Sequence, residues 1–191
     1  MNYLLLLKSI LLSILVWLFI CTSASFLYSQ SNYLQKFQEL VKHEGEIFIV
    51  VNYPEAGQEK ICREENALSN QITFSKDSAF IDYINYTELF CETYVLSTHY
   101  TYHFSLKDIE VAAMRLIEKK YDYGHGELQE GPEIWFEIQL FSRNNKLAIR
   151  QTDVETRQSE HIHTVNLLFR SKAGAKEGIT QFRKILNQNN M

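Results

Sequence analysis

Seven glycines and two prolines in 191 residues leave no room for collagen-like repeats or for long Gly- and Pro-rich linkers. Basic clusters are also missing. The chain carries 19 Lys and Arg against 23 Asp and Glu, a net charge of −4. Neutralising a phosphate backbone takes grouped cations, so nucleic acid is not an expected partner. The sequence holds no Gly-x-Gly-x-x-Gly, no P-loop, no His-Glu-x-x-His and no Gly-x-Ser-x-Gly nucleophile elbow. No cofactor is implied. Against these absences stand 46% hydrophobic residues, with 11 Tyr and 12 Phe, enough to bury the core of one domain.

The first 29 residues read as an address. Lys8 is followed by the apolar run Ile10 to Ile20 and then by Thr22, Ser23, Ala24 and Ser25, and no further charge occurs before Lys36. A short cationic start, an apolar middle and small residues are the layout of a secretory signal peptide. Ala24, Ser25 and Ser29 each offer a cleavage point. The rival is an uncleaved anchor, since residues 10–28 are uncharged and about long enough to span a bilayer. Lipidation at Cys21 is disfavoured by Ile20, where a small residue is needed. Either way residues 30–191 form one exported domain, in the periplasm, the cell envelope or outside the cell. Loss of residues 1–29 removes one cation and no acid, taking the charge from −4 to −5. Of the 3 cysteines, Cys62 and Cys91 then remain, and in an oxidising compartment they are expected to form a disulfide.

Hydrophobic spacing predicts the rest. Tyr33, Phe37, Leu40 and Val41 recur at helical intervals over 33–42, and Gly45 ends that helix. Glu46 to Tyr53 reads as a buried strand stopped by Pro54, and 54–70 as a polar loop or short helix. Gln71 to Phe104 reads as two or three strands, the last with Tyr94, Leu96, Tyr100, Tyr102 and Phe104 on a core face and His99, Thr101 and His103 on a wet one. Ser105-Leu-Lys-Asp108 resembles a capping box opening a helix to Ile117, with a strand over 111–117 as the rival. Tyr121 to Pro132 is expected as the longest loop. Ile134 to Phe141, Lys146 to Thr152 and His163 to Arg170 read as strands, the first two joined by a hairpin turn at Asn144-Asn145. Residues 153–160 form a longer connection, and Ser171 caps a closing helix that buries Ala175, Ile179, Phe182 and Leu186.

The expected class is therefore α+β, a bent antiparallel sheet closed by a C-terminal amphipathic helix. Tyr102-His-Phe-Ser-Leu-Lys-Asp-Ile109, three following strands and the helix from Lys172 resemble the pleckstrin-homology-like superfold over roughly residues 90–190, in element order only. The phosphoinositide loops of that fold are basic. Here residues 46–70 hold Lys60 and Arg63 against Glu46, Glu55, Glu59, Glu64 and Glu65, so headgroup binding does not carry over. Superfolds of this kind host many functions.

Two histidine pairs are the candidate metal ligands. His99 with His103, and His161 with His163, each share one strand face, and Asp153, Glu155 or Glu160 would supply a third ligand. His99-Tyr-Thr101 is also similar to the His-x-Thr element of two-histidine phosphoesterases, but its second copy, His163-Thr164, is wrongly spaced. Tyr121-Asp-Tyr-Gly-His-Gly126 is a candidate binding loop. Alternation already places the histidines toward water without any metal, and no catalytic residue stands out. The leading expectation is an exported, non-enzymatic binding or structural domain whose partner is a protein or a small molecule. Membrane contact would come only through residues 10–28. A small metal-dependent hydrolase using the strand histidines and a carrier of a small apolar ligand are the alternatives.

Overall fold

The computed structural model describes residues 32–54, 61–75, 77–91 and 94–189. The address segment lies outside them. Helix α1 (residues 32–44) buries Phe37 and Val41 completely, and the Gly45 N–H donates to the Val41 carbonyl at 2.7 Å to close it. A Cβ on Gly45 would stand 2.4 Å from that same carbonyl oxygen, so the close approach requires glycine.

Ten strands follow. A large antiparallel sheet runs in the order β6-β1-β2-β3-β4-β8-β9, and a small one in the order β10-β7-β5. In the large sheet β1 (Glu46–Pro54), β2 (Ile61–Ser75), β3 (Ser78–Leu89) and β4 (Tyr94–Ser105) form a meander. Strand β6 (Glu127–Glu130) closes the β1 edge, while β8 (Ile149–Asp153) and β9 (Ser159–Ile162) extend the β4 edge. The small sheet holds β5 (Arg115–Lys120), β7 (Ile134–Phe141) and β10 (Thr164–Phe169).

Helix α2 (Lys172–Asn189) packs on β7 and β10. The Ser171 hydroxyl accepts from the Gly174 N–H at 3.0 Å, the expected N-cap. Ala175, Phe182, Ile185 and Leu186 are buried, and Phe182 stacks on Phe37 with ring centroids 5.1 Å apart. The α+β class and the closing helix hold as expected. So does the Cys62–Cys91 disulfide, which spans a sequence separation of 29.

The core explains the layering. Val165, Leu167 and Phe169 of β10 join Ile138 and Leu140 of β7 in one cluster with both helices. Leu168, on the opposite face of β10, packs instead with Ile47, Ile49 and Val51 of β1. The small sheet is thus apolar on both faces at β10, with α2 on one side and the large sheet on the other.

Several expectations are corrected. The supposed polar loop through residues 61–70 is the first part of β2, the longest strand. Its charges are absorbed locally: Arg63 Nη2 lies 2.6 Å from Glu65 Oε1, and Glu64 accepts hydrogen bonds from Asn66 and Tyr121 among others. The predicted helix after Ser105 does not form. The Ser105 hydroxyl donates to the Asp77 carbonyl instead of capping, Leu106 and Ile109 are fully buried, and the chain passes through two 3₁₀ turns into β5. β-Branched Val111 and Ile117 suit that outcome.

The loop 121–132 contains β6. Asn144 and Asn145 do adopt positive φ, 56° and 52°, yet they carry the chain from one sheet to the other rather than around a hairpin. The expected connection 153–160 shortens to the turn between β8 and β9. Finally, the outer end of β4 has no core face, since Tyr94, Val95 and Leu96 are all exposed.

Candidate functional site

Strand parity locates the histidines. Tyr100, Tyr102 and Phe104 face inward, so His99 and His103 face outward, and His161 does likewise beside inward Ile162. His103 and His161 lie in one row of the ladder with Arg150 between them. A permanent cation at that place works against binding a second one. His99 is used otherwise, its Nε2 lying 2.5 Å from Asp82 Oδ1, and His103 stacks on Phe80 at 4.4 Å. His163 lies just past β9 and is exposed. Among the described residues no group of three or more His, Cys, Asp or Glu side chains is placed to hold a metal ion.

The candidate loop 121–126 is fastened down. Tyr121 Oη donates to Glu64 Oε1 at 2.6 Å and accepts from Asn66 Nδ2 at 2.7 Å, while Asn66 Oδ1 accepts from Thr87 at 2.7 Å. Burial alone would raise the Glu64 pKa, but hydrogen bonds from Tyr121, Asn66 and Tyr53 outweigh it and hold the carboxyl below its usual range. The phenols respond oppositely. Burial and the Glu64 carboxylate push Tyr53 up to about 12 and raise Tyr121 as well. This network is a clasp between β2 and the loop, with its hydrogen-bonding capacity spent internally.

A different place has capacity left. Between the inner face of the large sheet and the β10 edge of the small one lies a cleft of about 340 Å³. Tyr83, Tyr100, Tyr102, Glu137, Gln151 and Asn166 line it. Tyr83 is the direct ladder partner of Tyr100, and the Tyr100 and Tyr102 rings sit 6.4 Å apart, tilted by 49°. The three rings make a corner on β3 and β4. Facing them from β7 is Glu137, only 8% exposed. Its Oε2 accepts from Asn166 Nδ2 at 2.8 Å, and its Oε1 from the Trp135 indole at 3.4 Å. Lys119 Nζ is 3.9 Å from Oε2. A smaller recess of about 240 Å³, lined in part by Tyr100, Gln151, Asp153 and Glu160, adjoins it.

The electrostatics of the cleft are negative. Burial first, then the neighbouring phenols and Glu160, push Tyr102 up to about 12. Burial and the Glu137 carboxylate likewise raise Tyr83. Hydroxyls and amides beside aromatic faces suit a polar organic molecule of modest size. Sequence reading placed Tyr100 and Tyr102 on the core face and passed over Tyr83, Glu137, Gln151 and Asn166. A signal for two of them was present. Glu137 interrupts Phe136 and Ile138, and Asn166 interrupts Val165 and Leu167, in strands whose other residues are mostly apolar. A polar side chain inside a doubly covered strand must find partners or face a cleft.

No known protein family matches the chain, and neither does any curated protein or solved structure.

Proposed function

We propose that the chain is a non-enzymatic binding domain of an exported protein, and that the tyrosine-lined cleft holds its ligand, a small polar organic molecule. One observation carries the reading: the buried Glu137 carboxylate, braced by Asn166 and Trp135, opens on a cleft walled by three tyrosines. The carboxylate is partnered by Asn166, Trp135 and, at 3.9 Å, Lys119, and its place beside three tyrosines in the lining of a cleft supports reading that cleft as a recognition site. The disulfide supports export, because such bonds persist in oxidising compartments, and the layout of residues 1–29 supports it from the sequence. The phenols, amides and carboxylate of the lining favour a polar ligand in this cleft, with Ile162, Val165 and Leu168 as its apolar part. The dispersed histidines give the hydrolase alternative no assembled ligand set among the described residues.

The test is NMR of the full chain with carbon-13-labelled tyrosine, titrated separately with choline, maltose and glutarate. At least one probe is expected to shift the Tyr83, Tyr100 and Tyr102 resonances saturably while Tyr33 and Tyr121 stay in place. If no probe moves the three cleft tyrosines, or if the shifts fall on Tyr33 and Tyr121 instead, the cleft is not the site.

A further inference from the structure

We infer that the ligand of this cleft is an organic cation, an ammonium group held over the tyrosine faces and against Glu137. The inference rests on the cleft being the binding site and adds the charge and chemical class of what enters it.

The groups facing the cleft fix the sign. From β7 comes the Glu137 carboxylate; in the adjoining recess are Asp153 at the end of β8, whose Oδ1 accepts from the Glu155 and Thr156 N–H groups, and Glu160 of β9. From β3, β4, β8 and β10 come phenols, Gln151, Thr164 and Asn166, all uncharged at neutral pH. Neither the cleft nor the recess is lined by Lys or Arg. Three carboxylates thus meet no lining cation.

Lys119 reaches Glu137 from the neighbouring strand β5 and shares its Oε2 with Asn166. At 3.9 Å the Lys119 ammonium is beyond hydrogen-bond length, and its side chain is 45% exposed. Water screens much of that attraction. The pair is therefore weak, and Glu137 remains an acidic group in the cleft lining.

The rings supply what a simple metal ion would not need. An aromatic face carries negative charge density and attracts a cation within about 6 Å of its centroid. The Tyr100 and Tyr102 rings lie 6.4 Å apart, tilted by 49°, with Tyr83 beside them on β3, and all three line the same cleft as Glu137. Aromatic rings and a carboxylate lining one cleft suit an alkylated or primary ammonium, whose carbons pack on rings while its charge is met by the carboxylate. A neutral polyol would donate hydrogen bonds to the carboxylates but would gain no ion-pair or cation–π attraction.

The experiment compares choline with dimethylbutanol, the neutral isostere that replaces nitrogen by carbon, using the same tyrosine-labelled chain. Choline is expected to bind the cleft about tenfold more tightly than the alcohol or better. Glu137→Gln is expected to cost choline about tenfold and the alcohol little. Because Glu137 is buried and its loss can weaken the fold, Tyr100→Leu and Tyr100→Phe provide a second pair. Leucine should remove the choline preference, and phenylalanine, which keeps the face, should retain it. Equal binding of choline and dimethylbutanol overturns the cation inference. So does a response to maltose or glutarate alone, and in that case the cleft remains the site. Silence of Tyr83, Tyr100 and Tyr102 toward every probe overturns both.

Discussion

At the scale of single residues, the carboxylates do different work according to who faces them. Glu64 and Glu137 both sit on strands with their side chains turned inward. Glu64 is encircled by donors, two of them phenols, and closes a clasp; Glu137 has one face braced and one face on the cleft. The clasp has a measurable pH signature. The folded Glu64 carboxyl titrates below its unfolded value, so its stabilisation is complete above the ordinary carboxylate range and is lost as pH falls through the depressed folded pKa. Glu64→Gln is therefore expected to lower stability by about 1 kcal/mol at neutral pH, a modest figure because the group is only partly buried. The gap between variant and parent should narrow as the pH is taken down through and below the ordinary carboxylate range. Urea midpoints at several pH values check this, and a gap that persists at low pH would remove the carboxylate from the explanation. Which of the two glutamates did which was not readable from their neighbours in sequence. Phe136 and Ile138 mark Glu137 as inward, but its partner Asn166 lies 29 positions away, and Tyr121 lies 57 from Glu64.

Among the elements, those whose pattern agrees with their packing were legible. Helices α1 and α2, strands β1, β7 and β10 and the disulfide follow from spacing, β-branching and cysteine count. The misread elements are those where tertiary pairing overrode a local cue. β2 looks like a solvated acidic loop until β1 and β3 pair with it on both sides. The stretch after Ser105 offers a capping pattern and helical spacing, yet β7 has a free edge that β5 satisfies. The disulfide ties the start of β2 to the end of β3, where Phe90 also donates its N–H to the Arg63 carbonyl at 2.9 Å. Closing a loop of about 30 residues is worth roughly 3 to 4 kcal/mol in the chain-entropy model. A Cys62→Ser, Cys91→Ser double variant should lose about that much. The loss should appear as a lower denaturant midpoint of the variant, with no further loss on adding reductant. A midpoint unchanged by the double substitution would show that the meander holds that end of the ribbon without the bridge.

For the molecule as a whole, an aromatic cluster ties both helices to the large sheet. Phe182 of α2 stacks on Phe37 of α1 and lies 6.5 Å from Phe74 of β2, and all belong to the cluster that includes the small sheet. Phe182→Ala is expected to cost about 3 to 5 kcal/mol. Amide exchange should speed up together in β2, β7 and α2 rather than in α2 alone. Exchange that accelerates only in α2 would mean that the helix opens independently of the sheets. The overall class was visible in the sequence because amphipathic segments of both periods were present. The division into two sheets was not, since it depends on Asn144 and Asn145 turning the chain out of one sheet and into the other, where local pattern suggested only a hairpin.

That division also sets an order of vulnerability during synthesis. The meander β1 to β4 is continuous in the chain and can assemble first, but both its borders wait for later residues. β6 must arrive to cover β1, and β8 to cover β4. Until then two rows of unpaired backbone groups stand open on β1 and β4, strands that carry exposed Phe48 and Tyr94. Unpaired edges of this kind recruit strands from neighbouring chains. A nascent molecule halted before Glu127 would therefore be a sticky one, and the growing chain has reason to be shielded by a chaperone until its own downstream strands seal it.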